Sequence, residues 1–171
     1  MIVIGRTCAV IALLIASADV HGGDCEPAWS PDASVNGRVN ALHVFDDGTG
    51  SALYAGGLFA TAGGVTVNYV ARWDGSAWHA LDTGTNNEVY TLASFDDGNG
   101  PALYAGGVFT MAGGQTVNRL ARWDGASWSA LGTGLNNAPL AMAVYDDGTG
   151  AALYVTGQFT TANGVTVNRV A

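Results

Sequence analysis

Pairs of adjacent carboxylates are the residues of this sequence best suited to chemistry. Each begins an Asp-Asp-Gly-x-Gly segment, and the six residues are Asp46, Asp47, Asp96, Asp97, Asp146 and Asp147. Crowded carboxylate and carbonyl oxygens suit Ca²⁺, which takes about six to eight oxygen ligands. Adjacent residues of an extended chain point to opposite faces, however, and Asp and Gly are common turn residues. We interpret the segments as hairpin turns and keep the six Asp residues as weak calcium candidates.

Two tryptophans and two arginines recur around Trp-Asp-Gly turns and form a candidate ligand surface. They are Arg72, Trp78, Arg122 and Trp128. Indole faces can bind apolar sugar faces, and Arg is a frequent anchor in protein interfaces. The structural alternative packs each Trp between sheets, and pairs each Arg weakly with the Asp two residues later, Asp74 or Asp124.

Catalytic machinery is not expected. The histidines His21, His43 and His79 share no repeat position, which argues against a His-rich copper or zinc centre. No Gly-x-Ser-x-Gly nucleophile segment and no phosphate-binding loop occur. We therefore predict a protein that is not an enzyme and needs no cofactor.

The first eighteen residues have the pattern of an export signal. Arg6 supplies a positive charge, an apolar run follows, and Ala16-Ser17-Ala18 is a small-residue cleavage site. The run is shorter than the roughly 20 apolar residues that span a bilayer. We predict cleavage after Ala18, a secreted, periplasmic or cell-surface protein, and no membrane insertion after cleavage. Cys25 is then the one remaining cysteine, with no partner for an internal disulfide.

The net charge of the chain argues against one class of binding partner. The chain has six basic residues, all Arg, against fourteen acidic residues, and its formal net charge is −8. Such a surface repels phosphate backbones. Nucleic acid is therefore excluded as an expected partner.

An internal repeat organises the chain, because the Asp-Asp-Gly-x-Gly segments recur every 50 residues. Within the first repeat, apolar segments of strand length at 40–45, 52–59, 68–73 and 77–81 alternate with turn signals. Gly56-Gly57 lies inside a strand, where glycine costs stability unless another backbone comes close. The pattern predicts an all-β fold of stacked sheets, with repeats at 40–89, 90–139 and 140–171 after an N-terminal segment at 19–39.

Three segments of the second repeat carry a family resemblance. They are Leu103-Tyr104-Ala105-Gly106-Gly107, Asn118-Arg119-Leu120-Ala121-Arg122-Trp123-Asp124-Gly125 and Trp128-Ser129-Ala130-Leu131. This pattern resembles the kelch repeat of β-propellers. It is most similar to the kelch-like repeats of exported bacterial proteins and of the fungal cortical cell-polarity marker family. The resemblance implies a β-propeller of four-stranded antiparallel blades over 40–171.

The number of blades departs from the family. Three are present, the last of them truncated, whereas propellers have about four to eight. We expect an N-terminal piece of a longer propeller, and the alternative is a short chain that completes its ring as a homo-oligomer. Ala28-Trp29-Ser30 is similar to Ser127-Trp128-Ser129, which predicts a ring-closing strand around Trp29.

The resemblance and the composition together imply a function in binding. We expect an exported, non-catalytic scaffold that mediates protein or cell-envelope interactions. The alternative is a carbohydrate-binding, lectin-like propeller or a fragment of a glycan-processing enzyme. The expected partner is accordingly a protein or a polysaccharide.

Overall fold

The computed structural model describes residues 4–5, 28–29 and 34–171, and every regular element in them is a β-strand. The all-β prediction is confirmed. Within these ranges no helix is long and apolar enough to cross a membrane. The predicted signal segment lies outside the described residues apart from Ile4–Gly5 (β1), which pairs antiparallel with Ala28–Trp29 (β2). The ring-closing role of the Trp29 segment stays a prediction.

Three antiparallel sheets follow one another along the chain, and in each the strands pair in sequence order. The first sheet contains β3 (Arg38–Asp46), β4 (Ser51–Leu58), β7 (Val70–Trp73) and β8 (Trp78–Ala80). The second sheet contains β9 (Val89–Asp96), β10 (Pro101–Gly107), β13 (Leu120–Trp123) and β14 (Trp128–Ala130). The third sheet contains β15 (Pro139–Asp146) and β16 (Ala151–Gly157). No sheet closes on itself among the described residues.

A small hairpin separates the second and third strands of each repeat, where the sequence predicts only a Gly-rich connection. The hairpins are β5 (Thr61–Ala62) with β6 (Val65–Thr66), β11 (Met111–Ala112) with β12 (Gln115–Thr116), and β17 (Thr161–Ala162) with β18 (Val165–Thr166). Gly63 and Gly64 both have positive φ, which glycine adopts without steric cost. The Gly-Gly pair therefore forms the tight turn of the first hairpin.

The third strand of the first sheet begins two residues later than the pattern predicts. Asn68 and Tyr69 have φ of 49° and 72°, so they cannot belong to a strand. Asn118 and Arg119 repeat this at φ of 45° and 71°. The positive φ turns the chain from the hairpin into the sheet.

The sheets stack face to face, and glycines permit the close approach. A Cβ built on Gly56 would lie 2.5 Å from Val89 Cγ1 of the second sheet. One built on Gly106 would lie 2.8 Å from Pro139 Cγ of the third sheet. We call these two contacts the first junction and the second junction. Strand β9 packs against β3 and β4 on one side and against β15 on the other.

The main core lies at the first junction. Its fully buried large side chains include Tyr54, Val89, Leu103 and Phe109, with Trp128 beside them. Burial of aromatic and aliphatic surface between stacked sheets supplies the main stabilising term. The described part of the chain is therefore held together by contacts between repeats as well as within them.

Candidate functional site

The acidic turns use their carboxylates to close the backbone. Asp46 Oδ1 accepts hydrogen bonds from the amides of Gly48 and Gly50 at 2.9 and 3.0 Å. Asp47 Oδ1 accepts from the Thr49 amide at 3.0 Å. The Asp96-Asp97 and Asp146-Asp147 turns repeat these bonds. These are side-chain turns that satisfy amides which would otherwise need water.

The second oxygen of Asp47 binds two other side chains. Asp47 Oδ2 accepts from the Tyr54 hydroxyl at 2.8 Å and lies 3.3 Å from Arg72 Nε. Burial acts to raise the pKa of Asp47, but the hydrogen bonds from Thr49 and Tyr54 and the nearby Arg72 outweigh it and lower that pKa. Burial and the bond to Asp47 raise the pKa of Tyr54. Arg72 therefore stabilises the acidic turn through its contact with Asp47.

The expected pairing of each Arg with the Asp two residues later is wrong. Arg122 Nε lies 3.5 Å from Asp97 Oδ2, which repeats the Arg72 arrangement in the second sheet. Asp74 instead accepts from the amides of Ser76 and Ala77, each at 2.8 Å. Strand pairing sets Arg72 opposite Tyr54, close to the Asp47 turn and away from Asp74.

No metal centre is assembled in the described ranges, which contain no group of three or more His, Cys, Asp or Glu side chains placed to hold an ion. Asp74 Oδ2 lies 2.6 Å from His79 Nε2. Hydrogen bonds from Ala77 and Ser76, followed by the contact with His79, hold the pKa of Asp74 below its ordinary value. The carboxylates of the acidic turns and of Asp74 are therefore used in hydrogen bonds within the fold.

The structure places both candidate tryptophans in the interior. Trp78 is 3% exposed and Trp128 is 4% exposed. Each packs against the Trp across its own hairpin, with ring centroids 5.4 Å apart for Trp73 and Trp78. Trp128 Nε1 also donates to the carbonyl of Leu81, the residue that follows β8, at 3.0 Å. Neither indole face is open to a ligand, so the two tryptophans are withdrawn from the candidate surface.

Arg72 and Arg122 are also poorly placed for a partner. Their side chains are largely buried and held by the acidic turns. Arg122 Nη2 donates to the Gly100 carbonyl at 3.0 Å. The four residues of the candidate ligand surface therefore act within the fold and do not form one open site.

Sequence reasoning missed a polar cluster across the first junction. Arg38 pairs with Glu88, and Asn40 Nδ2 donates to Glu88 Oε1 at 2.8 Å and to the Val89 carbonyl at 2.7 Å. Burial acts to raise the pKa of Glu88, but the bonds from Arg38 and Asn40 outweigh it and lower that pKa. A usable signal existed in the repeat, because residues 38, 88 and 138 share one repeat position yet are Arg, Glu and Ala.

A cavity of about 460 Å³ lies at the second junction. Its lining includes Leu120, Leu131, Leu135, Leu153 and Ala162. The size is typical of ligand sites, which are mostly apolar and about 300–1,000 Å³. Sequence reasoning did not find this cavity, since it arises where two sheets meet.

Charge divides the repeats into two ends. The turns that join the first strand to the second and the third to the fourth lie at one end, which we call the turn end. It carries Asp46, Asp47, Asp74, Asp96, Asp97, Asp124, Asp146 and Asp147. The opposite, link end carries the hairpins, where Asn36, Asn86 and Asn136 each accept two backbone amide bonds. One end is strongly acidic, and the other is rich in amides.

Comparison with known proteins adds no assignment. No family model matches the sequence, and no curated protein or solved structure matches it either.

Proposed function

We propose that the chain is part of a kelch-like β-propeller whose blades are the three stacked sheets. The support is the position of β9, which packs between the first strands of the neighbouring sheets. Radial repetition of four-stranded antiparallel sheets brings equivalent strands together in this way. Among the described residues the third blade comprises two strands and the start of a third, where Ala171 exchanges two backbone bonds with Val155.

The proposed role is that of an exported, non-catalytic scaffold that binds a protein of the cell envelope. The observation that carries this role is the row of hairpins at the link end. They repeat in each blade and expose one apolar side chain each: Val65 and Val165 at one repeat position, and Met111 on the other strand of the second hairpin. A row of exposed apolar side chains suits a protein partner. The turn end repels anionic polymers because of its Asp residues.

The carbohydrate-binding alternative gains no support from the aromatic residues. It relied on the faces of Trp78 and Trp128, which are covered by protein. A glycan would therefore need a different surface, and the binding experiment includes an arm that detects one.

Binding to an isolated cell-envelope fraction tests the proposal. We expect saturable binding that is lost when the fraction is treated with protease and kept when its glycans are oxidised with periodate. The double variant Val65→Ser with Val165→Ser should weaken binding, whereas Thr66→Ser with Thr166→Ser, on the same exposed strands, should not. Binding that is kept after protease treatment and lost after periodate oxidation favours the glycan alternative. If saturable binding is not observed, the scaffold role is refuted.

Export is tested separately by expressing the full chain in a secreting host. We expect the mature protein outside the cytoplasm with Asp19 as its first residue, measured by intact mass. A cytoplasmic product that keeps Met1 to Ala18 contradicts the export proposal and leaves the binding result standing.

A further inference from the structure

Three Asn-Gly pairs occur in the chain, and the structure places them in different surroundings. They are Asn36-Gly37, Asn99-Gly100 and Asn163-Gly164. An asparagine before glycine can lose its side-chain amide, because glycine carries no Cβ that would hinder attack of its main-chain nitrogen on the carboxamide carbon. In a folded chain the reaction depends on what holds the carboxamide and on what contacts the glycine nitrogen.

The carboxamide of Asn36 is held by another segment of the chain. Its Oδ1 accepts hydrogen bonds from the amides of Ala60 and Thr61, both at 2.9 Å. The glycine beside it is enclosed, since a Cβ built on Gly37 would lie 2.1 Å from the Leu58 carbonyl oxygen. Both amide bonds must break before the carboxamide can turn toward the Gly37 nitrogen. We therefore expect Asn36 to keep its amide in the folded chain.

Asn163 is also held by a segment outside its own turn. Its Oδ1 accepts from the Thr133 amide at 3.0 Å, and a Cβ built on Gly132 would lie 2.2 Å from the same oxygen. The carboxamide is therefore packed against the loop at 132–133. Asn163 and Gly164 also form the turn between β17 and β18, where both have positive φ. The hairpin thus fixes the main chain on which the attack would occur.

Asn99 is exposed, and the hydrogen bond of its side chain stays within its own turn. Its Nδ2 donates to Asp97 Oδ1 at 3.1 Å. The Gly100 main-chain nitrogen donates to Asp96 Oδ1 at 3.0 Å. Asp96 is thus placed to take the proton that this nitrogen loses when it attacks. Of the three pairs, this one combines an exposed carboxamide with a carboxylate on the attacking nitrogen.

We propose that Asn99 is a site of self-modification, at which the folded chain converts this asparagine to aspartate and isoaspartate. The Gly100 N–H proton passes to Asp96 Oδ1 while the nitrogen bonds to the Asn99 carboxamide carbon. The amide nitrogen then takes the proton back from Asp96 and leaves as ammonia, and a cyclic imide remains. Water opens the imide at its side-chain carbonyl to give aspartate, or at its main-chain carbonyl to give isoaspartate. Both reacting groups belong to one turn, so the attack is intramolecular.

The other two repeats show that the turn does not need an asparagine. Thr49 and Thr149 occupy the repeat position of Asn99. Each hydroxyl donates to the second Asp of its own turn, as the Asn99 carboxamide does. Threonine therefore provides a matched replacement that keeps this hydrogen bond and has no amide to lose.

The product changes the contacts between the second turn and Arg122. Arg122 Nη2 donates to the Gly100 carbonyl at 3.0 Å, and Arg122 Nε lies 3.5 Å from Asp97 Oδ2. An isoaspartate lengthens the main chain immediately before Gly100. Either product also replaces the donor on Asp97 with a second carboxylate, which repels it. The reaction therefore alters one of the three acidic turns and leaves the other two unchanged.

Peptide mapping by mass spectrometry, on the folded chain kept at a mildly alkaline pH, tests the proposal. We expect Asn99 to convert at least about tenfold faster than Asn36 and Asn163, because the bonds that hold those two must break first. In urea, which removes the fold, the three asparagines should convert at similar rates. This comparison uses the wild type alone and does not depend on the folding of a variant.

Two variants test the chemistry of the turn. Asp96→Asn keeps an oxygen that can accept the Gly100 amide but is a weaker base, and it should slow the conversion of Asn99 about tenfold. Asn99→Thr is the matched control, with the circular-dichroism spectrum of the wild type and no conversion at position 99. Equal rates for the three asparagines in the folded chain, faster conversion of Asn36 or Asn163, or an undiminished rate in Asp96→Asn overturns the proposal.

Discussion

The first and second junctions use the same repeat positions in different ways. At the first junction Glu88 is held by Arg38 and Asn40, and Trp128 fills the space beside Leu81. At the second junction the position of Glu88 is taken by Ala138, and a cavity lies beside Leu131. A repeat position therefore fixes the backbone, while the facing sheet decides what contact the side chain makes.

The exposed fraction of a side chain also depends on whether another sheet faces it. Leu92 is 7% exposed at the first junction, whereas Leu42, at the same repeat position on the outer face of the first sheet, is 52% exposed. Tyr104 is 1% exposed and its equivalent Tyr154 is 37% exposed. The hydrophobic contribution of each side chain to folding follows the area that its neighbours cover.

The largest expected effect separates a covered aromatic residue from an uncovered one. Trp128→Ala should lower the free energy of unfolding by about 3–5 kcal/mol, because it leaves a cavity and removes the bond to Leu81. Tyr154→Ala, on the outer face, should cost less than about 1 kcal/mol. Urea unfolding followed by circular dichroism measures both. Equal losses would mean that the outer face is covered in solution.

The close approach of the sheets provides the second test. Gly56→Ala places a methyl group 2.5 Å from Val89 Cγ1, and overpacking of this kind costs about 1–3 kcal/mol. Thr156→Ala, at the same repeat position on the outer face, should change the free energy of unfolding by less than about 0.5 kcal/mol. An unchanged free energy of unfolding for Gly56→Ala would contradict the close approach of the two sheets at the first junction.

The polar cluster of the first junction should have a smaller effect. Glu88→Gln keeps the shape of the side chain but removes its charge, and Arg38 is largely exposed, so solvent screens the pair. We expect a loss of about 1 kcal/mol in the free energy of unfolding, which shrinks as salt is added. An unchanged free energy at low salt would mean that the cluster does not stabilise the junction.

The smallest effect is a pH dependence from His43, whose Nε2 lies 2.9 Å from Ser94 Oγ across the first junction. Burial lowers its pKa below the ordinary value of 6.5, so the unfolded chain takes up the proton first. Its contribution to stability is complete above pH 6.5 and is lost as the pH falls through the lower folded-state pKa. The difference in stability between wild type and His43→Gln should therefore shrink below pH 6.5, measured by urea unfolding. A difference that does not change with pH contradicts this account.

Local features were predictable from the sequence because they depend on neighbouring residues. The Asp-Asp-Gly turns and the strands that flank them follow from alternating apolar residues and from the turn chemistry of Asp and Gly. The start of β7 at Val70 was missed because the positive φ of Asn68 and Tyr69 belongs to two non-glycine residues. The partner of Arg72 was missed because Asp47 is distant along the chain and is brought near by strand register.

The 50-residue period, the strands and their turns can be read from the amino-acid sequence alone, since each depends on interactions within a few residues or between adjacent strands. The burial of Trp128, the partners of Glu88 and the cavity beside Leu131 follow from how the sheets pack together. These outcomes depend on which sheet faces each side chain, because sheets stacked about 10 Å apart cover the side chains that point between them and leave the others exposed.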